Sequence, residues 1–310
     1  MRREKGKMPF ASHMLDKTRL FRRAAGLLAT SPLLARAQRL HDLNVQSFHL
    51  HLSKVDKILV GGYMILRDYA LGEFPPTFED QYKAYQAEID FSQSLTGVSV
   101  AEVQEGDMRK PFWDSAGFRR YSTQYWKLFR TLERLGLKPG ARLLELGCGG
   151  GWTAELLALA GYSVTGTTIG PTELAVAEKR AAAFRMRGLK NELSFCLGAM
   201  ESVDATVARL ERFDGAFVFE ALHHAFDWAR AIQACYRCLS PGGWLLLANE
   251  PNLFHTLKSY RVGKLSRTHE IGMSRRKLME EMRRAGFSEI VVLAPRFDNL
   301  ISHHWIAARK

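Results

Sequence analysis

The residues that could do chemistry lie after position 140. Glycines at 147, 149, 150 and 151 follow the apolar run Leu143–Leu146, which carries one acid, Glu145, and a helix-forming run starts at Ala154. Strand, glycine turn and helix in that order give a loop whose backbone can approach a ligand, because no side chains stand in the way. His223, His224 and His269 could take a proton from an alcohol or phenol, since imidazole titrates near neutrality. Glu250 ends another apolar run and is a further candidate for that task.

The elements that must position these residues alternate from residue 141 onward. Strands are expected at Arg142–Leu146, Ser163–Thr167, Leu193–Leu197, Phe213–Phe219 and Trp244–Ala248. The helices between them are expected at Thr153–Leu159, Thr172–Arg187, Ser202–Leu210 and Trp228–Leu239, with a tight turn at Ser240-Pro-Gly-Gly243. Such alternation predicts an α/β fold with a parallel sheet covered on both faces and ligands at the carboxyl ends of the strands. A loop-like basic excursion, Pro251 to Met273, precedes a helix Ser274–Ala285 and strands Glu289–Leu293 and Leu300–Ala307.

Residues 1–108 lack that rhythm and read as an all-helical region, with segments Leu20–Leu28, Leu33–Leu43, Val55–Ala70 and Phe78–Ile89. The expected division is therefore 1–108, a helical cap, and 109–310, an α/β domain. Trp113, Tyr121 and Tyr125 stand just ahead of the glycine loop. They suit a substrate pocket, with His223 as a fourth contact, or a helix packed on the sheet edge.

A dinucleotide site wants G-x-G-x-x-G and then an acid at the end of the second strand. Here the glycines run G-x-G-G-G and the second strand ends Val164-Thr-Gly-Thr-Thr168. The acid lies ahead of the loop instead, at Glu145, where it could meet an ammonium group and would repel a pyrophosphate.

Leu144-Glu-Leu-Gly-Cys-Gly-Gly-Gly151 resembles the first motif of the class I S-adenosylmethionine-dependent methyltransferases. Phe213–His224 and Cys238-Leu-Ser-Pro-Gly-Gly243 are similar to that family's fourth-strand and pre-fifth-strand motifs. The resemblance implies a Rossmann-like seven-stranded sheet with an antiparallel last strand, and S-adenosyl-L-methionine as cofactor. It also implies that Glu145, Gly147, Cys148, Gly149 and Gly151 cradle the methionine part. Residues 167–173 resemble the branch that includes cyclopropane fatty acid synthases, which would give Thr168 and Glu173 the ribose. Met200 would cover the adenine, and Glu201 and Glu220 complete the expected cofactor set.

Composition bounds the rest. The chain has 310 residues, 46% of them hydrophobic, and a net charge of +12. Ten Lys/Arg against two acids stand in residues 1–40, and nine against three in residues 258–284. These zones read as solvated faces, with contact to anionic lipid headgroups left open. No apolar run approaches the ~20 residues of a membrane span, and the interrupted run after Arg22-Arg23 reads as a surface helix rather than a leader, so a cytoplasmic location is expected. Cys235 and Cys238 form a lone CxxC on one helix face and read as buried small hydrophobes, and no metal site is expected.

Enzymes of this family that methylate amino groups of nucleic acid carry Asn/Asp-Pro-Pro-Tyr after strand four. This chain has Phe219-Glu-Ala-Leu222 there, which disfavours nucleic acid. The expected activity is methyl transfer to a small or medium metabolite, with the oxygen of a sugar, lipid or natural-product hydroxyl as acceptor. His224, His269 and Glu250 are the catalytic candidates. Carbon methylation or cyclopropanation of an acyl chain is the alternative within catalysis, and a non-catalytic cofactor-binding partner protein is the alternative outside it.

Overall fold

Short runs of Leu, Val and Phe bounded by Gly and charged residues pair into a sheet because both faces can be buried at once. A computed structural model describes residues 31–46, 52–75, 80–96, 99–112, 114–269, 271–293 and 303–310. Its seven strands are β1 (Arg142–Leu146), β2 (Ser163–Thr168), β3 (Leu193–Leu197), β4 (Phe213–Phe219), β5 (Leu239–Glu250), β6 (Glu289–Val292) and β7 (His304–Arg309). They lie in the order β3-β2-β1-β4-β5-β7-β6. The first five are parallel, and β7 runs antiparallel between β5 and β6. The order reverses at β1, so the crevice for a ligand opens beyond the carboxyl ends of β1 and β4.

Alternate residues of each strand feed two cores. Leu144, Leu146, Val218 and Leu247 face helices α9 (Trp228–Cys238) and α11 (Arg275–Ala285), where Cys235 and Cys238 pack as small apolar groups. Leu143, Phe217 and Leu246 face α5 (Ser115–Arg134) and α6 (Trp152–Leu159). Helix α7 (Pro171–Met186) covers β2 and β3.

Several boundaries differ from the sequence reading. The expected helix at 202–210 shrinks to a 3-10 turn, Met200–Ser202, and a short α8 (Val203–Thr206). Strand β5 starts at Leu239, because Ser240–Gly243 bulges between Leu239, paired with Phe213, and Trp244, paired with Gly215. The 251–273 excursion contains a helix, α10 (Thr256–Ser266), entered through a 3-10 turn that the Asn252 side chain caps by accepting from His255 N at 3.1 Å. The last strand begins at His304 rather than Leu300, and residues 300–302 lie outside the described residues.

The helical region supplies α1 (Pro32–Gln46), α2 (Lys54–Leu71), α3 (Gln81–Thr96) and α4 (Val100–Arg109); the helix expected at 20–28 lies outside the described residues. Helix α4 went unread in the sequence although Ser99 and Glu102 form a capping box at its start. Its C-terminal carbonyls are held by the buried guanidinium of Arg180, whose Nη2 donates to Asp107 O (2.7 Å), Met108 O (3.1 Å) and Lys110 O (3.1 Å). Arg180 is also paired with Glu155, so α4 is stapled onto α6 and α7. Helix α10 packs on α2, where fully buried Asp68 accepts from Tyr260 OH at 2.8 Å and Lys264 Nζ at 2.5 Å. The cap over the strand ends is therefore built from two chain segments, the N-terminal helices and the 251–273 insertion.

Removing one partner of a buried charge pair leaves the other uncompensated, at a cost of roughly 3–5 kcal/mol. Asp68→Ala should accordingly detach α10 from α2. The expected result is a cap that unfolds at lower denaturant than the sheet, while Asp68→Asn, which still accepts from Tyr260, loses less.

Candidate functional site

A cavity of about 310 Å³ opens at the carboxyl ends of β1, β2 and β4. Gly147 and Gly149 form its floor, with φ of +70° and +51°. A Cβ on Gly147 would stand 2.5 Å from Met200 Cε and 2.7 Å from Ala221 Cβ, so the floor is closed to any larger residue. Thr168 and Glu173 form one wall and Met200 and Glu201 another, while Tyr85, Glu88 and Ile89 of α3 roof it.

Two buried oxygens in this region have no hydrogen-bond partner among the described residues: Glu145 Oε2 and Glu173 Oε2. Glu145 is almost fully buried beneath the loop and accepts from Thr153 Oγ1 through its other oxygen. Burial pushes its carboxyl up to about 8, against the opposing bonds from Thr153 and the Ala154 amide. Burial also raises the Glu173 carboxyl, with Asp107 adding to it. A buried carboxylate oxygen without a donor is costly unless a cation or hydroxyl meets it. Glu173 lines the cavity beside Thr168, while Glu145 lies behind the loop and outside the lining; their oxygens would suit the ribose hydroxyls and the ammonium of S-adenosylmethionine.

Other expected cofactor residues do different work. Cys148 is buried away from the cavity; its amide donates to Thr167 O at 2.8 Å and its thiol lies against Gly166. Gly151 does not line the cavity either: a Cβ there would fall 2.5 Å from Phe195 Cζ, so it permits close packing of the loop on β3. Glu201 is in the wall but is already engaged, accepting from Tyr85 OH at 2.6 Å and from Asp227 N at 2.9 Å. It ties the cap helix to the domain.

The catalytic and substrate candidates separate in the same way. Glu250 is fully buried and accepts from the amides of Ala221 (2.8 Å), Leu222 (2.9 Å) and His223 (3.3 Å), and its Oε2 lies 3.0 Å from His223 Nδ1. Burial alone would raise this carboxyl, but His223 and those amides hold it below the ordinary range. It anchors the loop after β4 and is not placed to act as a base. Tyr121 and Tyr125 pack on Trp152 at ring distances of 5.4 and 6.4 Å, so they are part of the core over the sheet rather than a substrate floor. Trp113 lies outside the described residues.

His224 and His269, distant in sequence, meet at one carboxylate. His224 Nδ1 lies 2.9 Å from Glu88 Oε2, and Glu88 Oε1 accepts from His269 N at 2.7 Å. Burial opposes ionisation of Glu88, yet the bond and charge of His224, with His269, bring it down to about 2. Beyond His224 lies a second, polar cavity of about 220 Å³. Its walls include Arg120, Glu220, His223, Asn249, His255 and His303, and it shares Glu220 and His224 with the first cavity. Glu88, Arg120, Asn249, His255 and His303 are not among the site residues expected from the sequence. His304, the neighbour of His303, serves the fold, with Nε2 2.9 Å from Met273 O. Among the described residues no group of three or more His, Cys, Asp or Glu could hold a metal, and no helix is long and apolar enough to cross a membrane.

Two results are expected. Gly147→Ala, strained at positive φ and closed in by Met200 and Ala221, should weaken S-adenosylmethionine binding by about tenfold or more in calorimetry; unchanged affinity would contradict the cradle. Near neutral pH Glu145 holds a proton that an adjacent ammonium would expel, so cofactor binding should release about one proton. Calorimetry in buffers of different ionisation enthalpy reads this directly, and Glu145→Gln should abolish the release.

Residues 144–247 match a family model described as a methyltransferase domain. Over 111 residues the chain is 36% identical to a ubiquinone biosynthesis O-methyltransferase of Pseudomonas savastanoi pv. phaseolicola, covering 36% of this chain and 44% of the relative. It is 32% identical over 139 residues to a protein of the same name from Xanthomonas oryzae pv. oryzae, covering 44% and 55%. The chain thus spans about half the length of the curated relatives it matches. The structure of a magnesium protoporphyrin IX methyltransferase from Synechocystis PCC 6803 with bound S-adenosylmethionine aligns with a TM-score of 0.50 at 16% identity. That alignment covers 73% of this chain and 97% of the other, and the likeness is one of fold. Residues 144–247 thus match a methyltransferase domain, and the seven-stranded sheet built around them shares its fold with an S-adenosylmethionine-bound methyltransferase.

Proposed function

We propose that the chain transfers a methyl group from S-adenosylmethionine to a hydroxyl oxygen of a small or medium metabolite, such as a sugar, lipid or natural product. The observation that carries this reading is the Glu88–His224 pair at the wall shared by the two cavities. The bound cofactor would supply an electrophilic methyl group on a sulfonium. The protein's part is alignment, exclusion of water and handling of one proton.

An alcohol or phenol arrives protonated, so a base is needed. Glu88 is ionised at neutral pH, which sets the Nδ1 proton of His224 toward it and makes Nε2 the basic atom. The names of the matched relatives, O-methyltransferases, support oxygen as acceptor. Thr168 in the cavity wall keeps carbon methylation of an acyl chain as a second reading, and that resemblance rests on residues 167–173 alone. A non-catalytic partner protein would have no use for a base held by a buried carboxylate.

Labelled methyl transfer into fractionated extract of the source cell tests the reading; cofactor binding with no incorporation in any fraction would sink it. Once an acceptor is in hand, His224→Ala should lower kcat by about 10²–10⁴-fold with KM little changed. Glu88→Gln should lower kcat less. Undiminished turnover in both would leave alignment alone as the mechanism.

A further inference from the structure

The polar cavity beyond His224 is not explained by cofactor binding. At about 220 Å³ it falls below the ~300–1,000 Å³ of sites that enclose whole drug-sized ligands, so it suits one ring-sized head. Its charges cancel locally. Arg120 Nη2 lies 3.2 Å from Glu220 Oε1, which also accepts from Asn249 Nδ2, and buried Glu250 is matched by His223 and three amides. Burial keeps His303 below the ordinary histidine range, so at neutral pH it is an uncharged donor and acceptor. An anion would find no unpaired cation among these groups, and it would face Glu220.

Both strand ends that carry the Glu220–Asn249 pair are held at positive φ, +51° and +61°. Such conformations cost of order 1–3 kcal/mol for non-glycine residues and persist where the surroundings enforce them, often at ligand sites. Here they turn a carboxylate and an amide toward the wall that also bears His224.

Resting on the methyl-transfer reading, we propose that this cavity holds the head of the acceptor, a neutral ring with adjacent hydroxyl groups. One hydroxyl meets His224 and the next is read by Glu220 and Asn249, while His255 and His303 close the far wall. His224 would take the proton of the first hydroxyl as that oxygen gains the methyl carbon from a bound sulfonium donor, whose carbon–sulfur bond would break to leave a neutral thioether. Glu220 and Asn249 are specificity residues that keep the neighbouring hydroxyl from the methyl donor.

The test is NMR titration of histidine ring signals in the full chain, with S-adenosylmethionine present. The probes are catechol, methyl glucopyranoside, benzoate and inorganic phosphate. Saturable shifts with catechol or with the glycoside are expected, the responding probe telling an aromatic from a sugar head. His303→Ala and His255→Ala should weaken that binding roughly five- to tenfold while cofactor affinity stays within about twofold, which also shows that the variants fold. Binding of phosphate or benzoate in preference to both diols would overturn the proposal, as would equal diol affinity in wild type and both variants. Cofactor binding without any diol binding sinks this inference alone. Failure of wild type to bind the cofactor would sink the methyl-transfer reading with it.

Discussion

The site depends on one buried carboxylate. Glu88 comes from the cap, yet both its oxygens are spent on the strand-end side, one on His224 and one on the backbone of His269. A carboxylate with so little exposure must be compensated or neutralised. Compensation here requires the helix, the loop after β4 and the 251–273 insertion to be in place together. Its low pKa fixes the pH window of that contact. The folded value of about 2 lies below an unfolded value of about 4.3, so the stabilisation is full above the latter and is lost as pH falls toward the former.

The same logic recurs around the cavity. Glu250 holds the loop after β4 by three amides, which leaves His223 and His224 side by side at a ring distance of 4.1 Å. Glu201 and Tyr85 form another link between cap and domain, beside the one Arg180 makes to the end of α4. Near the glycine loop, Glu145 and Glu173 each keep a buried oxygen without a hydrogen-bond partner among the described residues. Engaged acids build the frame, and the unsatisfied ones mark where a ligand's donors would go.

What could be read from sequence follows from how local each signal is. The sheet was legible because β1 to β5 are short runs separated by glycine and helix patterns, and the G-x-G-G-G turn gained meaning from Glu145 ahead of it and Thr168 at the end of the second strand. Local spacing could not tell that Cys148 lies against Gly166 of β2, or that Gly151 serves packing against Phe195 of β3, more than forty residues on. Glu250 looked like a base because it ends a strand, and only the fold brings three amides onto it. The cap residues Tyr85 and Glu88 were invisible for the same reason, since one helical turn of polar residues looks like any solvated face. Helix α10 was hidden by its charge, three basic residues over eleven positions masking Tyr260 and its contact with Asp68.

The most direct measurement is the carbon-13 spectrum of product formed from methyl-labelled S-adenosylmethionine and the active extract fraction. Oxygen-, nitrogen- and carbon-bound methyl groups resonate in separate regions. The expected result is one oxygen-bound methyl signal that collapses in His224→Ala. A carbon- or nitrogen-bound signal, or an oxygen-bound one of equal strength in the variant, would contradict hydroxyl methylation by a histidine base held from the cap.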